Sequence, residues 1–118
     1  MDKEAAARTT SEVAKDHISA VLGGDPKQMA ADYAANAILE RGGVAYDGIH
    51  QIQAYFQTVP DRLGDAEIFF DKLTVEGEQA VFHWRLLGNS LEVSGKDVLI
   101  IRNGEITHQV VLLNAEDF

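Results

Sequence analysis

Apolar residues recur at helical spacing through the first half of the chain and at strand spacing through the second. "TTSE" sets Thr9 three residues ahead of Glu12, the spacing of a capping box. The following "VAKDHISAVL" puts Ala14, Ile18 and Val21/Leu22 on one face, and Gly23-Gly24 can end that helix. A second helix restarts with Asp25 as N-cap, Pro26 at the first helical position and Gln28 closing the box. The pattern carries it through "MAADYAAN" before "AILE" turns extended. A third helix follows "YDG", with Ile49, Ile52, Phe56 and Val59 on one face and Pro60 as its end.

Strands take over from residue 66. "AEIFFDKLTV", "QAVFHWRLL", "LEVSGKDVLIIR" and "EITHQVVLL" are separated by "EGE", "GNS" and "NG". Asn103-Gly104 is the firmest of these turns, because a two-residue type I′ hairpin needs positive φ at both positions. Hairpin links imply antiparallel pairing. Helices followed by a meander predict an α+β domain, with the helices packed on one face of a curved sheet. There is no internal repeat, linker or low-complexity stretch, so residues 9–118 are expected to form a single domain behind a flexible or helix-extending segment, 1–8.

A sheet with one wet face should alternate apolar and polar residues. In "DVLIIR" and "HQVVLL" both parities are apolar: Leu99 and Ile101 against Val98 and Ile100, Val111 and Leu113 against Val110 and Leu112. The helices can cover one face. A second copy of the chain is the simplest cover for the other, which predicts a homodimer through the outer sheet face.

Composition narrows the functional classes. The 46% apolar content supports an ordinary globular core, and the net charge of −9 argues against nucleic acid and anionic membrane as partners. Zero cysteines exclude disulfides, thiolate metal sites and thiol nucleophiles. "MDKEAAAR" has no apolar leader core, and no apolar run approaches spanning length, so a soluble, cytoplasmic protein is expected. The four histidines show no HxH or HExxH spacing, and neither a metal nor any other cofactor is expected.

Asp97 poses the chemical question. It opens a run of Val, Leu and Ile, where a carboxylate is costly unless paired, neutralised or used. Facing inward with Leu99 and Ile101, its pKa would rise. The other possibility is an acid at the strand's solvent end, next to Gly95 and Lys96. Phe82, Trp84 and Leu86 share one strand face, opposite His83 and Arg85, and read either as ordinary core or as an aromatic wall for a flat ligand. Gln109 shares parity with Val111 and would add a polar tip; His83 and His108 point the other way, and His50 sits on a wet helical face.

Several strings resemble the NTF2-like superfamily, nearest its ketosteroid isomerase and SnoaL-type cyclase branch. "AVLGGD" is similar to the family's helix-end "AxxxGD", "DYAANAILE" to "xFADDATxE", and "GIHQIQAYF" to "GxxAIxxFY". "GKDVLIIRNGEI" resembles its strand pair with an acid upstream and a "DGKI"-like turn, so the likeness spans roughly residues 10–113. The resemblance implies a cone-shaped, curved antiparallel sheet with three helices from the N-terminal half on its concave face, a fold also called cystatin-like. It implies an enclosed pocket between sheet and helices.

Isomerases of this type use a first-helix tyrosine, a carboxylate base on the first strand and an acid on a later strand. Those positions fall on His17, on Arg41 just after Glu40, and on Asp97. Supporting tyrosines fall on Tyr33, which is kept, and on Phe56. His17 can hydrogen-bond an oxygen or move a proton, or be a satisfied core histidine. Arg41 and Glu40 are adjacent on a strand, so only one can face the pocket. Arg41 inside would pair with Asp97; a slip at Gly42-Gly43 would instead bring Glu40 in.

The expected site is therefore Asp97, His17 and Arg41 as catalytic groups, with Tyr33, Tyr55, Phe56, Phe82, Trp84, Leu99 and Gln109 around an apolar ligand. The implied activity is proton transfer on a small cyclic carbonyl compound, of isomerase or cyclase type. A non-catalytic binding protein using the same pocket is the alternative, and a purely structural dimerisation module the third. Epoxide hydrolysis, also found on this fold, would need an Asp-Arg-Asp set, of which Arg41 and Asp97 supply two members from other strands than expected.

Overall fold

A computed structural model describes residues 8–59, 61, 66–88 and 91–113. Residues 1–7 of the N-terminal segment, Pro60, and Asn89-Ser90 of one expected turn lie outside the described residues. The first helix, α1 (Thr10–Gly23), starts at a complete capping box: Glu12 N–H donates to the Thr9 hydroxyl at 3.1 Å, and Thr9 N–H donates to the Glu12 carboxylate at 2.8 Å. It ends where Gly24 turns left-handed, φ 78°, and returns its N–H to the Ala20 and Val21 carbonyls. Val13, Ala14 and His17 form its buried face, while Leu22 turns to solvent.

The second helix, α2 (Pro26–Ala30), is much shorter than the alanine-rich sequence suggests. Tyr33 is already in strand, and Ile106 N–H donates to the Asp32 carbonyl at 2.9 Å. Sheet pairing with a strand more than seventy residues away overrides local helix propensity here. The third helix, α3 (Ile49–Gln57), buries Ile52, Tyr55 and Phe56.

Six strands form one sheet: β1 (Tyr33–Arg41), β2 (Val44–Asp47), β3 (Glu67–Glu76), β4 (Gln79–Gly88), β5 (Leu91–Arg102) and β6 (Glu105–Leu113), in the order β2-β1-β6-β5-β4-β3. The last four lie where the alternation put them. β2 goes beyond the sequence reading. Gly42 and Gly43, at φ 59° and 83°, make a tight hairpin that pairs Arg41 with Val44. One pair also departs from an all-antiparallel sheet, since β1 and β6 run parallel. The Asn103-Gly104 turn has positive φ at both positions, 53° and 79°.

Two irregularities aim the concave face. β3 slips register between Phe70 and Lys72, and the β5–β6 pairing slips between Ile100 and Ile101. The second slip leaves Ile106 and Gln109 both buried, although their spacing along a regular strand would point them to opposite faces. The concave face then packs Leu39, Phe82, Leu99 and Ile101 against Val13, Met29, Ile52 and Phe56 of the helices, as one core. On the outer face, Val98, Ile100 and Val110 are half-buried and Leu112 is 44% exposed. No helix among the described residues is long and apolar enough to cross a membrane.

One glycine fixes the geometry of the cone. Gly95 pairs with Trp84 across β4–β5. A Cβ on Gly95 would sit 2.5 Å from the Leu112 carbonyl oxygen and 2.8 Å from Cζ2 of the Trp84 indole. The indole therefore packs against bare backbone, a place no side-chain-bearing residue leaves open. Gly95→Ala should destabilise the protein by about 1–3 kcal/mol, through overpacking against a backbone oxygen that cannot yield. Urea unfolding followed by Trp84, the single tryptophan, checks this; a midpoint and emission maximum equal to wild type would contradict the packing.

Candidate functional site

Between the concave face of the sheet and helices α1 and α3 lies a narrow, mainly apolar cleft that opens to solvent at its mouth. Each element contributes to the wall by its inward parity. α1 supplies His17 and Val21, α3 supplies Tyr55 and Phe56, and β4 supplies Phe82, Trp84 and Leu86. β3 supplies Ile68 and Phe70, β1 Arg41, β5 Asp97, and β6 Val111 and Leu113. The aromatic rings contact one another edge-on: Phe70 with Phe82 at 5.3 Å between centroids, Tyr55 with Phe56 at 5.2 Å, and His17 with Phe56 at 5.8 Å.

Asp97 is the acid of this wall. Its register partners are Phe82 on β4 and Val111 on β6, so Trp84 and Gln109 are its diagonal neighbours on the same face. Both reach it. Trp84 Nε1–H donates to Oδ1 at 2.9 Å, and the Gln109 side-chain N–H donates to Oδ2 at 2.5 Å. Burial pushes the carboxyl up to about 6 from an ordinary 3.8; the two N–H donors oppose that rise by stabilising the charged form. Near neutrality the group is mostly ionised, with a substantial protonated fraction at mildly acid pH.

Behind Asp97 the polar chain continues. The Tyr33 hydroxyl donates to Gln109 Oε1, and His17 Nε2 lies 3.4 Å from the same hydroxyl. Burial pushes His17 down to about 4, against a smaller opposing effect of Asp32, so its ring is neutral at ordinary pH. Its Nδ1 makes no well-directed hydrogen bond, although a Met29 backbone group lies close. Burial likewise raises the Tyr33 phenol well above its usual value.

Of the residues singled out from sequence, Asp97, His17, Arg41, Tyr55, Phe56, Phe82 and Trp84 line the cleft. Tyr33, Leu99 and Gln109 do not. Leu99 is fully buried in the core, and Tyr33 and Gln109 stand behind the wall with their polar ends on each other and on Asp97. Strand parity, for Leu99 and Gln109, and the family resemblance, for Tyr33, assign a face or a position but not a depth. Arg41 is the inward member of its pair. Glu40 turns to the outer face, where it accepts from His108 Nε2 at 2.7 Å. Arg41 is not among the groups that shift Asp97. Ile68 and Phe70 were not anticipated, although the alternation of "AEIFF" assigns them one face. Among the described residues no cluster of three His, Asp or Glu side chains could hold a metal ion.

The SnoaL-like domain model matches residues 14–109. No curated protein is similar to the chain in sequence. Among solved structures, a candidate ketosteroid isomerase from Kribbella flavida DSM 17836 superposes with a TM-score of 0.80 at 17% identity, over 92% of this chain and 80% of that one. A candidate polyketide cyclase from Sinorhizobium meliloti gives 0.72 at 16%, over 88% and 99%. A de novo designed protein with a curved β-sheet gives 0.75 at 17%, over 94% and 86%. At such identities the likeness establishes the NTF2-like, cystatin-like fold and leaves the chemistry to the residues of the cleft.

Opposite shifts on Asp97 and His17 make a paired pH prediction. Asp97, raised from 3.8 to about 6, gives stability that is full below pH 4 and lost as pH rises through 6. His17, lowered from 6.5 to about 4, gives stability that is full above pH 6.5 and lost as pH falls through 4. Each change is about 3 kcal/mol, and in the wild type the two oppose. Relative to wild type, Asp97→Asn should gain stability as pH rises from 4 to 6, and His17→Phe as pH falls from 6.5 to 4. Denaturant unfolding at several pH values tests this; curves parallel to wild type would show that neither group is buried as described.

Proposed function

The chain belongs to the SnoaL-like family, and we propose that its cleft carries out proton transfer beside the carbonyl of a small, mainly apolar cyclic substrate. The observation that supports this most directly is the Asp97 carboxyl. It is buried in an apolar wall, raised to about 6, and held by N–H donors from Trp84 and Gln109. A carboxyl poised near working pH serves as base or acid with little penalty in either direction.

In this reading the ionised Asp97 takes a proton from the carbon next to the carbonyl. The C–H pair becomes the new C=C, and the carbonyl oxygen becomes an enolate oxygen. Arg41, which lines the same cleft, supplies positive charge for that oxygen, and neutral His17 can offer a hydrogen bond. Return of the proton from Asp97 to another carbon gives an isomer and restores the carboxylate. The aromatic wall holds the ring and keeps bulk water from the enolate.

Non-catalytic binding in the same cleft is the second reading. It is favoured by Arg41 standing where the family resemblance puts a base. Proton exchange separates the two. Small cyclic ketones and enones incubated with the protein in D2O should exchange their α-hydrogens, read by proton NMR. Asp97→Asn should lower that rate by about 10²-fold or more while leaving ligand-induced changes in Trp84 fluorescence in place. Binding without exchange would favour the second reading, and exchange surviving in Asp97→Asn would remove Asp97 from the chemistry.

We also propose a homodimer through the outer sheet face, supported by Val98, Ile100, Val110 and the 44% exposed Leu112. Leu112→Glu should shift the sedimenting species from dimer to monomer at micromolar concentration. A wild-type monomer under those conditions would contradict it.

A further inference from the structure

We propose that Tyr33 is a positioning residue that sets the protonation state of Asp97 through the side-chain amide of Gln109, touching neither the carboxyl nor the cleft. The inference builds on the reading of Asp97 as the proton-transfer group. Gln109 bridges the two residues: its Oε1 accepts from the Tyr33 hydroxyl, and its Nε2 donates to Asp97 Oδ2 at 2.5 Å. Its side chain is fully buried, at 1% exposure, so no bulk water can satisfy an end that faces the wrong way.

A primary amide has a donor end and an acceptor end, so its orientation here is a binary choice. With the N–H end toward Asp97, the carboxylate is stabilised. Turned over, the amide oxygen would face the carboxyl, and only the protonated acid could donate to it. Nothing at Asp97 alone decides between these. In the structure the Tyr33 O–H donates to Oε1, which holds that end away from Asp97 and turns the N–H toward it. Without the hydroxyl the amide is free to turn, and the neutral acid gains a partner. Tyr33 thus holds Asp97 toward its ionised, proton-accepting form.

The other groups facing this chain do not supply that preference. His17 from α1 is neutral and lies 3.4 Å from the Tyr33 hydroxyl, long for a hydrogen bond. Asp32, in the turn before β1, is engaged by Arg8 at 2.7 Å. Tyr55 from α3 and Arg41 from β1 also line the cleft. From β4, Trp84 donates to Oδ1, and Gln109 from β6 donates to Oδ2. On β3, the one inward parity near Trp84 is the apolar Phe70.

The test is the NMR titration of the 13C-labelled Asp97 carboxyl in the full chain, without substrate. Tyr33→Phe and Gln109→Leu should each move the midpoint upward by about one pH unit from wild type. A merely structural tyrosine would lower stability and leave the midpoint unchanged. An unshifted midpoint in folded Tyr33→Phe overturns the proposal, whether or not Gln109→Leu shifts. Should Tyr33→Phe not fold, the wild type still decides. The Gln109 side-chain 15N–H signals should move with the same midpoint as the Asp97 carboxyl, and signals indifferent to that midpoint overturn it. Because no substrate is present, failure here is separate from absence of α-hydrogen exchange, which would bear on the reaction alone.

Discussion

A carboxyl group held in an apolar wall is the constraint around which this fold is arranged. Asp97 cannot be buried without donors, and its two donors arrive from its two neighbouring strands as diagonal partners of one register. Trp84 can lie there only because Gly95 has no side chain. Gln109 points inward together with Ile106 only because the β5–β6 pairing slips at Ile100–Ile101. Bare backbone at one position and an extra residue at another thus serve a single side chain. The same burial neutralises His17, so two ionisable groups of the cleft wall are each kept away from their ordinary titration.

This arrangement makes the site energetically expensive. Both Asp97 and His17 lose stability in one direction of pH. A short row of polar side chains, His17, Tyr33, Gln109, Asp97 and Trp84, is threaded through the core. A fully connected buried network is tolerable where a half-connected one is not, and here each polar end but His17 Nδ1 meets a partner.

Much of this is legible in the amino-acid sequence. The capping box at Thr9 and Glu12, the Asn103-Gly104 turn and the alternation of the last four strands are local signals, and the structure keeps them nearly to the residue. What escaped was non-local. Nothing in "MAADYAAN" announces that Tyr33 pairs with Ile106, so the second helix reads too long. Gly42-Gly43 reads as punctuation until β2 pairs back along β1. For the site, parity identified the inward faces of β4, β5 and β6, and the family resemblance pointed to His17 and Arg41. Depth is invisible in a sequence, and so Gln109 and Tyr33 read there as ligand contacts. A register drawn back from the Asn103-Gly104 turn would have suggested the Gln109–Asp97 diagonal only if the bulge at Thr107 were known.

The most direct measurement is the titration midpoint of the Asp97 carboxyl itself in the ligand-free wild-type protein. A midpoint near 6 is the result expected of an acid desolvated in the cleft wall and partly compensated by Trp84 and Gln109. A midpoint at the ordinary carboxylate value, near 3.8, would mean that water reaches the group freely, and the account of the cleft as a proton-transfer site would lose its central residue.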